Sequence, residues 1–185
     1  MEGVKVMTAF IYKQDDVALK ILSEIELEGR YLDWFSDSEV HLYNSHWARP
    51  QTSADVQLYI DSIKNDKTKL IFAVYALKHT VHIGNISLQN IDHFNQSAEM
   101  AFMFGERAYW GKGYAFIASQ FVMRHAYQHL NLNRLYLGCL DNNAAMEKLA
   151  LKLGFKPEGI RRHALFNNGE FRDVLEFGQL KDEFI

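Results

Sequence analysis

Short runs of apolar residues, separated by a polar turn, lie near the start of the chain. Residues 8–12 and 17–22 flank polar residues 13–16, and this pattern predicts a β-hairpin. Apolar positions then recur at helical spacing after Ser23 and again after Thr52, and each of these residues is followed three positions later by an acidic residue, as in a capping box. Two early helices are therefore expected, over residues 23–35 and 52–63.

The hydrophobic pattern then changes to short runs rich in β-branched and aromatic residues, which predict an antiparallel meander. Its three strands are expected at residues 70–76, 81–88 and 98–104. A helix, a strand, a second helix and a closing hairpin should follow, at residues 114–130, 134–140, 143–153 and 155–180. The pattern predicts one α+β domain (α/β by some schemes) over residues 1–185, in which residues 1–16 form an N-terminal extension or hairpin strand.

Composition and charge narrow the range of functions. The chain has 185 residues, of which 48% are hydrophobic and 23% charged, as in ordinary globular domains. The net charge is −3, so the chain has no excess of basic residues with which to contact phosphates, and nucleic acid is not an expected partner. The first residues form no apolar targeting segment and no run of about 18 apolar residues occurs, so a cytoplasmic protein without a membrane partner is expected.

The segment WGKGYA, residues 110–115, is the first candidate for a binding site. It lies between a predicted strand and a predicted helix, where backbone N–H groups lack partners and the helix dipole is positive. Gly111 and Gly113 have no Cβ, so a phosphate could approach the main chain closely, and Lys112 could add a charge contact. The segment is neither a Walker loop nor G-x-G-x-x-G, and the preceding strand is assigned to a meander and not to a βαβ unit. Two glycines before a helix are also compatible with a purely structural turn.

Two spaced motifs carry a family resemblance. Trp110, Gly113 and Ala115 occupy the first, fourth and sixth positions of Q/R-x-x-G-x-G/A, and Asn143 begins an N-x(10)-G-F motif. Together they resemble the acetyl-CoA-binding motifs of the GNAT superfamily of N-acetyltransferases. The final hairpin and a W-x-x-D-x-E-V element that begins at Trp34 are similar to the subgroup that contains ribosomal-protein N-terminal acetyltransferases and nucleotide-sugar N-acetyltransferases. The resemblance covers about residues 17–180.

The resemblance implies the GNAT fold, with a mixed, mostly antiparallel central sheet and about four flanking helices. The sheet should splay between the strands at 98–104 and 134–140, with the pantetheine arm of acetyl-CoA in the gap and no metal. By the same resemblance, pantetheine would contact main-chain groups of Phe102, Met103 and Phe104. The remaining cofactor-binding positions would be Trp110, Gly111, Lys112, Gly113, Tyr114, Ala115 and Asn143.

Acetyl transfer to an amine needs a neutral nucleophile, a polarised thioester carbonyl and a route for charge to leave on sulfur. The backbone N–H of Met103 or of its neighbour is the predicted donor to the developing oxyanion. Glu99, on the same strand face as Met103, is the candidate base or water holder, although a carboxylate at a strand end can equally be ion-paired or solvated.

The chain departs from the family where a general acid is usually found. Met146 and Ala150 occupy the two positions at which relatives often place a protonating side chain, and neither can protonate a thiolate. Phe116 and Ile117 replace a polar Thr-Glu pair that is common after the glycine loop. The thiolate would then leave with water or a residue from another segment as proton donor.

The resemblance implies a primary amine as acceptor, either on a small molecule such as an amino sugar nucleotide or on a protein N-terminus. The family resemblance places Trp34, His46, Trp47 and Arg49 at the acceptor site, although local packing explains Trp47 best. The basic segment at 161–163 could meet an anionic acceptor, or could be a solvated strand surface. Relatives commonly form dimers, so a homodimer is also expected to be accessible. The contrasting hypothesis is a non-catalytic CoA-binding module.

Two further features have simple explanations. Cys139 has no second cysteine with which to form a disulfide, so a core thiol is the simplest interpretation. His125 and His129 have the i, i+4 spacing of two metal ligands, but no third ligand is evident, so a surface or partly buried pair is expected.

Overall fold

The computed structural model describes residues 9–40, 42–43 and 52–184. Along the chain the strands are β1 (Tyr12–Gln14), β2 (Val17–Ile21), β3 (Leu70–Ala76), β4 (Val81–Asp92), β5 (Ser97–Phe104), β6 (Arg134–Leu140), β7 (Lys156–Asn167) and β8 (Glu170–Leu180). The α-helices are α1 (Ser53–Ile63), α2 (Tyr114–Arg124) and α3 (Ala144–Lys152). All eight strands form one sheet in the order β1-β2-β3-β4-β5-β6-β8-β7. Every neighbouring pair is antiparallel except β5 and β6, so the predicted mixed sheet is confirmed.

The sheet opens between β5 and β6. These strands pair in parallel over only three positions, from Ser97↔Arg134 to Glu99↔Tyr136. Beyond these positions the paired register ends, although β5 continues to Phe104 and β6 to Leu140. The strands therefore diverge and leave a gap along the later half of β5.

The prediction that the strand before the glycine loop belongs to a meander and opens no βαβ unit is wrong. Strand β5 ends the antiparallel run β3-β4-β5, but it also opens a crossover through α2 to the parallel strand β6. Its local pattern cannot show this, because the direction of pairing with β6 depends on residues about 35 positions further along.

One of the two early helices was also predicted wrongly. The segment that begins at Ser23 forms two short 3-10 helices, Glu24–Glu28 and Asp33–Phe35, on either side of Gly29. Gly29 takes an extended conformation there, so the first helix ends and the chain turns to bury Tyr31 and Trp34. The described chain thus has three α-helices, and α2 is prolonged by a π-helix at His125–His129.

Two hydrophobic clusters cover the two faces of the sheet. Side chains alternate between faces along a strand, so Phe72 and Val74 of β3 join the cluster beneath α2 and α3, whereas Ile71 and Ala73 join the cluster beneath the 3-10 helices and α1. The sheet therefore separates two hydrophobic clusters and contributes side chains to both.

A buried ion pair lies in the second cluster. The Nζ of Lys20 is 2.6 Å from Oε1 of Glu26, and their side chains are 6% and 0% exposed. The hydroxyl of Tyr75 donates to the same oxygen at 2.6 Å, and the N–H of Ser23 donates to Oε2 at 2.8 Å. Burial alone would raise the pKa of Glu26, but the hydrogen bonds from Lys20, Tyr75 and Ser23 outweigh it and lower that pKa. This network attaches the first 3-10 helix to the sheet.

Across the described residues, no helix has both the length and the apolar character needed to span a membrane.

Candidate functional site

The glycine loop presents an open stretch of backbone at the start of α2. Gly111 and Gly113 have φ angles of 70° and 88°, in the left-handed region that favours glycine. A Cβ built at either position would meet nothing within 4 Å, so both glycines face open space. Helix α2 begins at Tyr114 without a side-chain cap on its first N–H groups. Such unpaired N–H groups at a helix N-terminus suit a phosphate.

Side chains tie this loop to the sheet at both ends. The Nε1–H of Trp110 donates to the carbonyl oxygen of Phe104 at 3.0 Å, and the hydroxyl of Tyr114 donates to Oδ2 of Asp16 in the β1–β2 turn. This bond to Asp16 raises the pKa of the Tyr114 hydroxyl to about 12 and lowers the pKa of the carboxyl group. Lys112 lies with its Nζ 5.9 Å from the ring centre of Tyr109.

The backbone of β5 supplies polar groups to the gap. The N–H of Gly105 donates to the carbonyl of Ile83, and antiparallel hydrogen-bonded pairs recur at every second residue, so the N–H and C=O of Met103 point toward β4. The intervening residues Phe102 and Phe104 turn the same groups toward the gap. The register thus directs the Met103 amide away from the gap and the amides of its neighbours into it.

Asn143 lies at the end of β6, on the other side of the gap. Its Oδ1 accepts the N–H of Met146 at 3.1 Å, so the side chain caps α3. Ala150 is fully buried within that helix and Met146 is half-buried.

The glycine loop, the splayed strands and the capped α3 lie within a sequence match to a known family. Residues 19–156 match the family model described as "Acetyltransferase (GNAT) domain". The chain belongs to the GNAT acetyltransferase family. The predicted enzyme class, an acetyl-CoA-dependent N-acetyltransferase, is thereby confirmed, as is the predicted GNAT fold.

Two curated relatives are N-acetyltransferases by name. The uncharacterized N-acetyltransferase p20 of Bacillus licheniformis is 29% identical over 88% of this chain and 93% of its own length. The putative ribosomal N-acetyltransferase YdaF of Bacillus subtilis is 31% identical over 55% of each chain. The predicted likeness to ribosomal-type acetyltransferases is thus confirmed.

Among solved structures, the chain is similar to spermidine N-acetyltransferase from Vibrio cholerae in complex with CoA and spermine. The TM-score is 0.81, with 22% identity, over 91% of this chain and 97% of that one. At this identity the likeness supports the GNAT fold.

A cavity of about 400 Å³ lies on the face of the sheet beneath the 3-10 helices and α1. Its floor is built from β3, β4 and β5. Its walls come from Tyr31 and Phe35, which precede α1 in the chain, and from α1 itself. This cavity is the candidate acceptor site and is called the acceptor cavity below; its lining residues are Tyr31, Phe35, Val56, Tyr59, Lys69, Ile71, Asn85, Ser87, Gln89, Ala101, Phe102 and Met103.

Polar side chains of β4 line this floor at every second position. Asn85, Ser87 and Gln89 share one face of the strand, and Nε2 of Gln89 donates to Oγ of Ser87 at 2.9 Å. The Nε2 of His82 lies 3.1 Å from the carbonyl of Gly84 and 2.8 Å from Oδ1 of Asn85. Burial lowers the pKa of His82, so the imidazole is neutral at physiological pH.

The predicted base, Glu99, lies beside this cavity but does not line it. Its Oε2 accepts a hydrogen bond from Nδ2 of Asn90 at 3.0 Å, and it pairs across strands with the lining residue Gln89. On the same face of β5, Ala101 and Met103 line the cavity, two and four residues after Glu99.

Trp34 packs under the site and does not open into the acceptor cavity. It is 1% exposed, and its Nε1–H donates to Oε1 of Glu106 at 3.1 Å. His46, Trp47 and Arg49, the other predicted acceptor residues, lie outside the described residues. The basic segment at 161–163 lies on the exposed β7–β8 hairpin, where Arg161 pairs with Glu176.

Sequence reasoning missed most of the lining residues, including Tyr31, Tyr59 and Lys69. The polar residues of β4 did leave a signal, because Asn85, Ser87 and Gln89 alternate with apolar residues in a strand that is otherwise buried. The remaining lining residues come from separate elements, and no local pattern groups them.

The isolated cysteine and the histidine pair behave as local packing features. Cys139 is a buried free thiol, and burial raises its pKa to about 11. The Nδ1 of His125 is 2.7 Å from the hydroxyl of Tyr12, and the rings of His125 and His129 lie 5.2 Å apart. No group of three or more potential metal ligands occurs among the residues that the structure describes.

Proposed function

We propose that this GNAT enzyme transfers the acetyl group of acetyl-CoA directly to the primary amine of a small molecule, in a ternary complex. One observation supports this above all: Phe102 belongs to both halves of the site. It lines the acceptor cavity, and its backbone N–H and C=O face the gap between β5 and β6. A thioester in the gap and an amine in the cavity would therefore meet at one strand.

The donor half of this proposal uses the loop and the gap. The free amides of residues 111–116 would hold the pyrophosphate, with Gly111 and Gly113 allowing close approach and Lys112 adding charge. The gap-facing groups of Phe102 would hydrogen-bond to the pantetheine arm or to the thioester oxygen. The carbonyl of Phe104 already accepts the Trp110 N–H, so this bond links the loop to the pantetheine wall. Asn143 lies across the gap at the start of α3.

In the proposed reaction, the neutral amine attacks the thioester carbon and a C–N bond forms. A gap-facing backbone N–H, most directly that of Phe102, would stabilise the oxyanion. The C–S bond then breaks and the electron pair leaves on sulfur. The proton lost by the amine would pass through water to Glu99, which is the cross-strand partner of the lining residue Gln89. Because Met146 and Ala150 carry no acidic proton, water would protonate the thiolate.

A protein N-terminus remains the alternative acceptor, supported by the likeness to a putative ribosomal N-acetyltransferase over about half of the chain. The acceptor cavity, of about 400 Å³, has the size of a small-molecule site. The nucleotide-sugar acceptor, homodimer formation and a cytoplasmic location stay predictions.

Isothermal titration of acetyl-CoA into the wild type and two glycine variants tests the donor site. Gly113→Glu places a side chain and a negative charge where the pyrophosphate should lie. Gly169→Glu is the matched control, because Gly169 also has a positive φ, of 86°, and also faces open space, but it lies in the β7–β8 turn. Both variants carry similar backbone strain and the same change in charge.

Micromolar binding by the wild type and by Gly169→Glu, with loss of binding by Gly113→Glu, is the expected result. Thiol release from acetyl-CoA in the presence of an amine panel would then measure turnover. Equal binding by the two variants would refute the loop assignment. Tight binding of acetyl-CoA without turnover of any amine would instead favour the non-catalytic CoA-binding module.

A further inference from the structure

The acceptor cavity carries an unusual balance of charge. Among its described lining residues, Lys69 is the one with a formal charge, and no described carboxylate lines it. The Nζ of Lys69 is 3.8 Å from Oδ2 of Asp66, a long separation for an ion pair, and its side chain is 35% exposed. The other oxygen of Asp66 accepts the N–H and hydroxyl of Thr68, at 2.8 and 2.6 Å. Lys69 therefore keeps donor capacity for a ligand.

The hydrogen bonds behind the cavity also orient donors toward it. The carbonyl of Gly84 can only accept, so Nε2 of His82 must carry the proton that the two groups share. The Asn85 atom 2.8 Å from the same nitrogen must then be its Oδ1 acceptor. With that oxygen occupied, the amide of Asn85 has its Nδ2 donors left for Tyr31 and the cavity.

Two tyrosines in the wall of the cavity, Tyr31 and Tyr59, are neutral at physiological pH and can donate hydrogen bonds through their hydroxyl groups. Burial raises the pKa of Tyr31, with further raising by Tyr59, and burial raises the pKa of Tyr59 as well. The cavity therefore combines one cation, amide and hydroxyl donors and apolar surface. A polyamine would bring a second ammonium group into the cavity, and Lys69 would repel it.

We propose that the acceptor is a primary amine that carries a carboxylate or a phosphate at its far end, and that Lys69 binds this anionic group. The inference rests on the proposed function, because it assumes that the amine reacts beside Ala101 and Phe102.

The sheet register sets the spacing of the two ends. Ile71, Ser87 and Ala101 lie in one row across β3, β4 and β5, and Lys69 lies two residues before Ile71. Two strand spacings and two residues place the Cα atoms of Lys69 and Ala101 roughly 12 Å apart. The side chain of Lys69 shortens this distance, so an acceptor with several bonds between amine and anion fits better than an α-amino acid.

A series of acceptors on one five-carbon chain tests the proposal. The amines are 5-aminopentanoate, 5-aminopentyl phosphate, the neutral pentylamine and the dication cadaverine, and kcat/KM is measured for each with saturating acetyl-CoA. The first two distinguish carboxylate from phosphate. The enzymes are the wild type, Lys69→Met and Lys69→Glu, with Lys67→Met as control, because Lys67 is exposed and does not line the cavity.

In the wild type, one anionic amine should exceed pentylamine on the order of tenfold, as expected for a charge-assisted contact, and cadaverine should be the poorest. Lys69→Met should bring the anionic-to-neutral ratio close to one, Lys69→Glu should favour cadaverine, and Lys67→Met should keep the wild-type ratio. A preference for cadaverine or pentylamine in the wild type, or an unchanged ratio in Lys69→Met, would overturn the proposal.

Two further outcomes separate this inference from the proposed function. If the wild type does not bind acetyl-CoA, the proposed function itself is refuted. If the wild type binds acetyl-CoA but turns over neither anionic amine, and neither binds to the enzyme–CoA complex by titration, the inference about Lys69 fails and the donor site stands.

Discussion

Replacing Glu26 with glutamine tests the buried network that attaches the first 3-10 helix to the sheet. Glu26 is fully buried against Lys20, with 2.6 Å between their charged atoms, and it also accepts hydrogen bonds from Tyr75 and Ser23. Glutamine keeps the shape and one acceptor oxygen. It removes the negative charge opposite an ammonium group that is only 6% exposed.

The expected loss follows from this geometry. Removing one partner of a buried ion pair leaves an uncompensated charge and costs about 3–5 kcal/mol. With a urea m-value of about 2–3 kcal/mol per M, the unfolding midpoint should fall by roughly 1–2 M. The double variant Lys20→Met with Glu26→Gln should recover much of this loss, because no unpaired charge remains in the core.

The pH dependence of stability has a definite sign. The hydrogen bonds lower the pKa of Glu26 from 4.5, its ordinary value, so the stabilisation is present above pH 4.5 and is lost as the pH falls through the lower folded value. The wild type should therefore lose stability in this acidic range more steeply than Glu26→Gln.

Urea unfolding, followed by circular dichroism and tryptophan fluorescence, measures all four members of the cycle: wild type, Lys20→Met, Glu26→Gln and the double variant. A loss below about 1 kcal/mol in Glu26→Gln would refute the reasoning, since it would mean that water reaches Lys20 readily. A double variant less stable than Glu26→Gln would also contradict it, because the ion pair would then not be the source of the loss.

Two other predictions concern the site itself. Glu99→Gln should lower kcat at least tenfold while the Kd of acetyl-CoA stays constant, because the change removes a proton acceptor and leaves the donor site intact. If kcat in steady-state assays is unchanged, Glu99 is a structural carboxylate at the strand end, where it accepts a hydrogen bond from Asn90. Tyr114→Phe should raise the Kd of acetyl-CoA about 3–10-fold by titration, because the glycine loop loses its bond to Asp16. Tyr109→Phe is the control, since it keeps the ring that packs edge-on against Tyr114, and equal effects in the two variants would count against a role for the bond.

Features that depend on neighbouring residues followed directly from the sequence. The strands at Leu70–Ala76 and Arg134–Leu140 have the predicted bounds, because alternating and β-branched residues act locally. The family motifs also have fixed spacing along the chain, so the glycine loop before α2 and the motif that begins at Asn143 could be identified before any coordinates, whereas the structure adds that Asn143 caps α3. Helical spacing was less reliable at residues 23–35, where burial of Tyr31 and Trp34 favoured two short 3-10 helices.

The sequence by itself therefore predicted the family and the order of most elements, because these depend on short-range patterns and on the fixed spacing within motifs. Tertiary structure alone decided where the proposed donor gap and the proposed acceptor cavity come together. The gap exists because β5 and β6 pair over three positions and then diverge. The strand register directs the backbone amide of Phe102, and not that of Met103, into this gap. Lys69, Asn85 and Ala101 share a cavity only because three strands align side by side, a long-range arrangement that no single segment of the sequence encodes.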